Sequence, residues 1–397
     1  MASVVEGAVA LEERGAAPDR EQRVTPLELF FDLVFVFAIT QVTQFMADDP
    51  SWAGLARGGL VLAAIWWAWV GYAWLTNVID PEEGVARLVV FAAMAAMLVV
   101  ALAIPGAFED DALLFAAAYA VVRAAQIVLY AYGAADADMR HSVFTLARSS
   151  ALSCALLLAA AGFDGAAQGA LWVAALVVDF GGPALFGVEG WKVAPGHFAE
   201  RHGLIVIVAL GESIVALGLG ASELPLTAGP LLAATLGVVV VAGLWWAYFD
   251  VVALVAERKL HEQQGVDRNR MARDSYSFLH LPMIAGIVLL ALGVKKTLAH
   301  VDEPLELQMA AALMGGVALY LLAHVASRLR NTRTLSRRRV GAAVVLLALV
   351  PVGPLVDALV ALAATAAVIV TLIAYEAIRY SDVRDRVRHH DSAVPAP

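Results

Sequence analysis

Residues 86–107 read ARLVVFAAMAAMLVVALAIPGA and carry one charged side chain, Arg87. A bilayer core about 30 Å thick is crossed by about 20 apolar helical residues, because each residue advances an α-helix by about 1.5 Å. This stretch therefore predicts a membrane-spanning helix. Eleven other runs of similar length and composition predict further spans, approximately at 27–47, 58–78, 112–133, 142–162, 167–188, 202–222, 228–255, 274–294, 306–326, 338–354 and 356–377.

The composition of the 397-residue chain supports this prediction of an all-α, polytopic membrane bundle. Apolar residues make up 61% of the chain and charged residues 16%, against about 45–50% and about 25% in soluble proteins. These fractions exclude an ordinary soluble globule and a disordered or disulfide-rich chain. The net charge of −9 argues against a nucleic-acid partner. The expected partner is the lipid bilayer, and a homodimer is left open.

The distribution of basic residues predicts the orientation of the chain. When the loops between the twelve spans are assigned to alternate sides, 23 of the 27 Lys and Arg residues fall on the side of both termini. Three fall on the other side, and Arg123 lies within a span. Cytoplasmic loops are rich in Lys and Arg, so we expect both termini to be cytoplasmic.

Similar motifs in the two halves of the chain indicate an internal duplication. The motif WWAW at 66–69 resembles WWAY at 245–248. When residues 33–38 of the first span are aligned with residues 204–209 of the seventh, Gln41 corresponds to Glu212. Six helices per half predict two parallel repeats, and the alternative is chance similarity between apolar helices. The predicted segments are a cytoplasmic tail 1–24, a first repeat 25–190, a second repeat 191–380 and a cytoplasmic tail 381–397.

Ionisable side chains inside the predicted spans are candidate functional residues, because a charge within the bilayer is costly unless it is paired or neutralised. Glu28 and Asp32 lie four residues apart on one face of the first helix. Asp32 lies about 8 Å from the start of the predicted span, measured along the helix axis. The alternative is that the two acids only cap or orient the helix, which Pro26 begins.

Glu212 lies near the middle of the seventh span and is followed by Ser213. A buried carboxyl group that can take up a proton is what a proton relay or a cation site requires. Gly211 and Gly218, seven residues apart, are expected to let another helix approach this face closely. The alternative is a protonated residue that only packs and forms hydrogen bonds.

Arg123 is the only cation predicted in mid-membrane, and a guanidinium group that cannot lose its charge needs an acidic partner. The pair is either functional or purely structural. His324 holds the corresponding position in the second half and is a further candidate, because histidine can change its charge near neutral pH. The sequence does not choose among the acids available to Arg123, which are Asp32, Asp179, Glu212 and Asp250.

Two spans contain features that are typical of interrupted helices. Asp179 precedes the sequence GGP at 181–183, which predicts a break or a kink that frees backbone groups beside an acid. The ninth span has Tyr276, His280 and Pro282 in its first half. Interrupted helices often build substrate or ion sites in transporters, and a plain kink is the alternative.

No motif in the chain predicts catalysis. There is no Gly-x4-Gly-Lys-Ser/Thr loop, no His-Glu-x2-His and no nucleophile elbow. The single cysteine, Cys154, cannot form an internal disulfide or a cysteine metal site, and none of the nine histidines lies in a cluster with metal-ligand spacing. We therefore expect no enzyme, no catalytic residue, no metal and no cofactor.

The sequence TPLELFFDLVFVFA at 25–38 resembles the opening signature of the bacterial low temperature requirement A (LtrA) family. ERHGL at 200–204 and ALGESI at 209–214 resemble the second signature of that family, and the stretch 273–282 also fits. The resemblance covers about 25–380. It implies a multi-pass protein of the bacterial plasma membrane that is linked by name to growth at low temperature, and it implies no particular substrate.

The first span is also similar to the first pore helix of a lysosomal and bacterial potassium-channel family, whose human form has two six-helix repeats. The pattern of that family is Arg-x3-Phe-Ser-Asp. Phe30 and Asp32 match it, whereas Pro26 replaces the arginine and Phe31 replaces the serine. This resemblance implies that Ile39 or a nearby apolar residue lines a constriction.

These observations lead to three functional hypotheses. The first is a secondary transporter of a small solute or ion, with proton coupling through Glu212. The second is a cation channel with a wetted pore along the first and seventh helices. The third is a sensor or assembly protein without transport, in which the polar groups are paired and no cavity reaches them. The proposed midplane site of the transporter consists of Glu212, Asp32, Asp179 and Arg123.

Overall fold

The computed structural model describes residues 23–185, 188–222, 225 and 227–379, so the predicted tails lie outside the described residues except for 23 and 24. Twelve helices in this part are long and apolar enough to cross a membrane, which confirms the predicted helical bundle. They are α1 (Pro26–Asp48), α2 (Trp52–Leu75), α3 (Gly84–Leu102), α4 (Ala112–Gly133), α5 (Ala137–Ala160), α6 (Gly165–Leu185), α7 (Pro195–Ser222), α8 (Ala228–Glu262), α9 (Gly265–Ala299), α10 (Leu307–Thr332), α11 (Arg337–Leu355) and α12 (Ala358–Arg379).

Three helices extend beyond the apolar runs that predict them. Helix α7 begins at Pro195 and α9 at Gly265, well before the predicted starts at 202 and 274. Helix α8 continues past its first part, Ala228–Phe249, through the polar segment Val252–Glu262. A count of apolar residues stops where the sequence becomes amphipathic, although the helical hydrogen bonding continues. The polar ends of these helices bring charged side chains into the bundle.

Helix α1 begins where its sequence predicts. Pro26 occupies the first turn, where its missing N–H leaves no hydrogen bond unmade. The Thr25 hydroxyl accepts a hydrogen bond from the backbone N–H of Glu28, and the Glu28 carboxylate accepts one from the backbone N–H of Thr25 at 2.8 Å. This reciprocal capping box stabilises the helix start. Glu28 thus has the capping role given as the alternative, in addition to the contacts described below.

The centre of the bundle consists of α2, α9 and α10, which are the most buried of the twelve helices, whereas α5, α8 and α11 are the least buried. Two π-helical segments interrupt the central helices, Ala272–Phe278 in α9 and Ala311–Gly315 in α10. A π segment holds an extra residue and frequently occurs at a functional site. The predicted interruption of the ninth helix is therefore a π segment and not a break.

Helix α6, in contrast, continues through the sequence GGP at 181–183 to Leu185, so the helix is not broken there. A Cβ added to Gly182 would lie 2.9 Å from the Ser149 hydroxyl of α5. This glycine therefore allows a close approach of α5 to α6. The carbonyl group of Pro183 accepts a hydrogen bond from Arg273 of α9 at 3.1 Å, which ties the end of α6 to the π segment.

Helices α9 and α10 touch backbone to backbone. A Cβ added to Gly286 would lie 2.5 Å from the carbonyl oxygen of Gly316, and one added to Gly316 would lie 2.8 Å from the carbonyl oxygen of Gly286. Further along, a Cβ on Gly293 would lie 2.6 Å from the Cα of Leu313. Backbone atoms cannot turn aside as a side chain can, so these glycines are what permits the contact.

Helix α1 joins the two halves of the bundle, since it packs on α2 and α3 of its own half and on α7 and α9 of the other. A tyrosine contact occurs in each half. The Tyr119 hydroxyl of α4 donates to the carbonyl group of Ala64 in α2, and the Tyr320 hydroxyl of α10 donates to that of Leu244 in α8. The duplication, its boundaries and the cytoplasmic location of the termini stay predictions.

Candidate functional site

The densest group of buried ionisable side chains lies where the first turns of α1 meet those of α7. Glu28 and Asp32 of α1 face His197 and Arg201 of α7, and all four side chains are at most 2% exposed. Arg201 Nη2 lies 2.9 Å from Asp32 Oδ1, and Arg201 Nη1 lies 3.3 Å from Glu28 Oε1. His197 Nε2 lies 3.0 and 3.2 Å from the two carboxylate oxygens of Glu28. We call these four residues the α1–α7 ion cluster.

The charges of the α1–α7 ion cluster balance only when one further proton is bound. Its two carboxylates face one guanidinium group, so the net charge is −1 when His197 is neutral and zero when His197 is protonated. Among the described residues, Asp32 Oδ2, His197 Nδ1 and Arg201 Nε have no hydrogen-bond partner. Buried polar atoms without a partner are rare in native proteins. Of these atoms, Asp32 Oδ2 can accept a proton, whereas Arg201 Nε already carries one and can only donate a hydrogen bond.

Trp69 of α2 connects this cluster to a group of aromatic and histidine rings. Its indole Nε1 donates to Asp32 Oδ1 at 2.8 Å, and the Arg201 guanidinium lies 5.7 Å from its ring centroid. The ring of His202 packs edge-on against Trp69, with 5.0 Å between centroids. The ring of His202 in turn lies 5.2 Å from that of Tyr276 in α9, and Tyr276 is stacked on His280 of the same helix. We call the rings of Trp69, His202, Tyr248, Tyr276 and His280 the aromatic–histidine cluster.

Hydrogen bonds fix the tautomers of the two histidines in this cluster. The Nδ1 atoms of His202 and His280 each lie 2.8 Å from a backbone carbonyl oxygen, so each Nδ1 carries a proton. The Tyr248 hydroxyl then donates to His280 Nε2 at 2.9 Å. His202 Nε2 and the Tyr276 hydroxyl have no partner within the described part of the chain. The cluster therefore retains hydrogen-bonding capacity in a buried place.

The acidic partner of Arg123, which the sequence left open, is Asp179. Arg123 Nη2 lies 2.8 Å from Asp179 Oδ1, and the two side chains are 2% and 1% exposed. The Ser150 hydroxyl accepts from Arg123 and donates to Asp179, while Gln126 accepts from Arg123 Nη1 at 2.8 Å. A cavity of about 50 Å³ between α2, α4 and α9 lies against Arg123. The pair links α4, α5 and α6.

Glu212 lies further along the contact between α1 and α7. The groups that interact electrostatically with its carboxylate are Lys295 of α9 and Thr43 of α1. Glu212 is 1% exposed, and its Oε2 has no partner among the described residues. Lys295 itself donates to Gln44. Thr43 follows Asp32 by eleven residues in α1, so Glu212 lies about 16 Å from the α1–α7 ion cluster along the helix axis.

Of the four side chains of the predicted midplane site, Glu212, Asp32, Asp179 and Arg123, the structure pairs only Arg123 with Asp179. Asp32, Asp179 and Glu212 each have a different set of partners. Helix α2 lies between the first two, because Trp69 donates to Asp32 and Trp67 lines the same cavity as Arg123, the partner of Asp179. The described contacts therefore do not form one site, because about 16 Å of the α1–α7 contact separates Glu212 from Asp32 and α2 lies between Asp32 and Asp179.

The remaining predicted residues lie elsewhere. The Ser213 hydroxyl donates to a backbone carbonyl group of its own helix at 3.2 Å. Gln41 is half-buried on α1, and Asp250 is half-buried at the junction between the two parts of α8. His324 Nδ1 accepts a hydrogen bond from Arg339 Nη1 at 3.1 Å. None of these four side chains enters the α1–α7 ion cluster as the described contacts define it.

One further expectation is wrong. No described heavy atom lies within 4 Å of a Cβ placed on Gly211 or Gly218, so no helix approaches that face of α7 closely. The sequence predicts Arg123 as the only cation in mid-membrane, and nearer the helix starts Arg201 and Arg339 are also buried, at 1% and 8% exposed. The alternation of loops counts both of these arginines as cytoplasmic, because they belong to the polar first turns of α7 and α11.

Sequence reasoning did not include Arg201, His197, His202 and Trp69 among the site residues. A usable signal was present, because Pro195 is a favourable first residue of a helix. A helix that begins there places His197 and Arg201 four residues apart on one face. Glu28 and Asp32 have the same spacing on α1, so two acidic positions face two basic ones.

Two comparisons with known proteins identify what the chain is similar to. A family model described as "Bacterial low temperature requirement A protein (LtrA)" matches residues 23–374, which include both ends of the contact between α1 and α7. The chain is also 31% identical over 305 residues to an uncharacterized protein of Rhizobium meliloti (strain 1021), and the match covers 74% of each chain. The region matched by the family model contains all four residues of the α1–α7 ion cluster.

Proposed function

The chain belongs to the bacterial low temperature requirement A (LtrA) family, and we propose that it is a secondary transporter of a small solute or ion, coupled to proton uptake by buried carboxylates. One observation carries the proposal. Asp32 and Glu212, at the two ends of the contact between α1 and α7, are buried and each has one oxygen without a partner among the described residues. Such acids are costly in a membrane and are typical of transport pathways. The proposal also includes a link between this protein and growth at low temperature.

The stretch of the α1–α7 contact that lies between Asp32 and Glu212 is apolar and closed. Phe35 and Ile39 of α1, together with Val206 and Leu210 of α7, are at most 3% exposed. The channel resemblance places Ile39 or a nearby apolar residue at a constriction. Alternating access requires a closed barrier between two polar regions. The packing therefore supports a transporter that rearranges more than it supports an open channel.

Proton binding would change the contacts that hold these helices together. A proton on Glu212 cancels its attraction to Lys295 of α9, and a proton on Asp32 weakens its contact with Arg201 of α7. Helix α9 packs on both α1 and α7. Protonation therefore acts on the contacts among three helices, two of which also surround the aromatic–histidine cluster.

The test is flux in proteoliposomes that contain the purified protein, a pH-sensitive dye and an imposed potassium gradient. We expect the wild type to move protons or cations, and Glu212→Gln to lower the initial rate about tenfold or more, because a relay without a titratable group loses at least one proton-transfer step. Glu109→Gln makes the same substitution at an exposed acid and is the matched control.

The outcomes separate the three hypotheses. Unchanged flux in Glu212→Gln contradicts proton coupling through this residue. A voltage-driven current that does not saturate indicates a channel. If the folded wild type moves no proton or tested cation under any gradient, the transporter proposal is wrong and a protein that acts through partners is favoured.

A further inference from the structure

A second cavity, of about 480 Å³, lies between α7 and α8 on the other side of α7 from the ion cluster's acids. Gly203 of α7 faces Phe249 of α8, where a Cβ would lie 3.5 Å from the phenylalanine ring, so the absence of a side chain widens the space. Ile207 and Leu254 supply apolar walls. Small-molecule sites in proteins are concave, mostly apolar and about 300–1,000 Å³ in volume. This cavity has that size and character.

The mouth of the cavity is charged. Glu200 of α7, Glu257 of α8 and Arg23 line it, which gives two carboxylates and one guanidinium group. Glu200 accepts a hydrogen bond from the backbone N–H of Val24 at 3.3 Å. The side chain of Glu257 is 39% exposed and lies 3.9 Å from His261 Nε2, and its exposure puts it within reach of a ligand that enters from solvent. The mouth is net negative and favours a cation.

The inner end of the cavity is aromatic and holds an unsatisfied hydroxyl group. Tyr248 and Tyr276 both line it, and both belong to the aromatic–histidine cluster. The Tyr248 hydroxyl is used by His280, whereas the Tyr276 hydroxyl has no partner among the described residues although the side chain is 2% exposed. A buried hydroxyl without a partner costs free energy that a ligand can recover. Aromatic faces also attract cations.

We propose that this cavity binds a small organic ammonium ion with an apolar body and a hydrogen-bonding group at its far end. The ammonium group lies between Glu200 and Glu257, the body packs against Ile207 and Phe249, and the far group hydrogen-bonds to Tyr276. As the identity of the transported solute, this inference rests on the proposed function. As a binding site, it stands without transport.

Three probes of similar shape test the proposal. Tyramine has both the ammonium and the hydroxyl group, phenethylamine lacks the hydroxyl, and 4-ethylphenol lacks the ammonium. Binding is measured by titration calorimetry of the full chain in detergent, without any gradient. We expect phenethylamine to bind about threefold more weakly than tyramine, since one hydrogen bond is lost. We expect 4-ethylphenol to bind about tenfold more weakly, since the charged contact is lost.

Variants assign these differences to residues. Tyr276→Phe is expected to make tyramine and phenethylamine bind equally, and Glu257→Gln to weaken both amines about threefold while leaving 4-ethylphenol unchanged. Glu303→Gln, at an exposed acid outside the cavity, is the matched control. Because Tyr276→Phe removes an unpartnered buried hydroxyl, it should not lower the thermal stability of the ligand-free protein.

The proposal is overturned if 4-ethylphenol binds as tightly as tyramine, if Glu257→Gln leaves amine binding unchanged, or if no probe binds at millimolar concentration. Glu212→Gln should retain binding, because that residue lies outside the cavity. Amine binding without flux in the proteoliposomes would contradict only the proposed function. Flux without amine binding would contradict only this inference.

Discussion

The ion pairs Arg123–Asp179 and Arg339–Glu376 lie in different halves of the chain and are built in opposite ways. The first has one contact of 2.8 Å between side chains that are 2% and 1% exposed. In the second, Arg339 Nε and Nη2 meet the two oxygens of Glu376 at 3.1 and 2.9 Å, and the side chains are 10% and 21% exposed. The more deeply buried pair is thus the less completely bonded one.

The remaining atoms of each pair show the same contrast. Arg339 also donates to His324 Nδ1 and to the backbone carbonyl group of Ala247, so all three of its nitrogen atoms are used. In the first pair, Arg123 Nε and Asp179 Oδ2 have no partner within the described residues. A bidentate pair with satisfied donors fixes helices in place. The burial of a charged side chain therefore does not by itself tell how completely it is bonded.

The largest expected effect follows from removing the acid of the deeper pair. Asp179→Leu leaves the guanidinium group of Arg123 buried without a carboxylate, which should lower the free energy of unfolding by about 3–5 kcal/mol. Denaturant titration of the protein in mixed micelles measures the change. The double variant Arg123→Met with Asp179→Leu should recover most of the loss, because neither charge remains. An unchanged free energy of unfolding in Asp179→Leu would contradict the view that the pair is closed to solvent.

A smaller effect is expected for the more exposed pair. Arg339→Met leaves Glu376 without its partner, but this carboxylate is 21% exposed and can be hydrated. The free energy of unfolding should fall by about 1–2 kcal/mol, measured in the same titration. A loss as large as that of Asp179→Leu would remove the contrast between the two pairs.

The smallest effect concerns the hydroxyl group that bridges the deeper pair. Ser150→Ala removes hydrogen bonds to Arg123 and Asp179, and the expected loss is about 0.6 kcal/mol, the usual size of such bonds within membranes. The adjacent Ser149→Ala is the control, because Ser149 bonds to the backbone of its own helix. Equal losses in the two variants would show that the bridge adds nothing to the pair.

The number of helices could be predicted from the sequence, because a membrane span requires a long apolar run and each run can be counted. The polar first turns of α7 could not be counted in this way. Arg201 lies there and was therefore assigned to a loop, although a helix start at Pro195 would have placed it opposite Asp32. Charged residues next to an apolar run belong to the helix when their partners lie on a neighbouring helix.

The partners of the buried charges could not be predicted from the sequence. Four acids were compatible with Arg123, and the choice of Asp179 depends on the packing of α5, which carries Ser150, against both α4 and α6. The position of the π segment in α9 is also set by its neighbours, since Trp66 and Trp74 of α2 both donate to Ser277 within it. Such contacts join positions that are distant in the chain, and local patterns do not contain them.

The glycine contact between α9 and α10 limits how this bundle can move. Gly286 and Gly316 bring the two backbones so close that neither helix can slide past the other without first separating from it. We therefore expect the two helices to move together. The rotation axis of a change of access would then lie outside this pair, and α1 and α7 both pack on its α9 side.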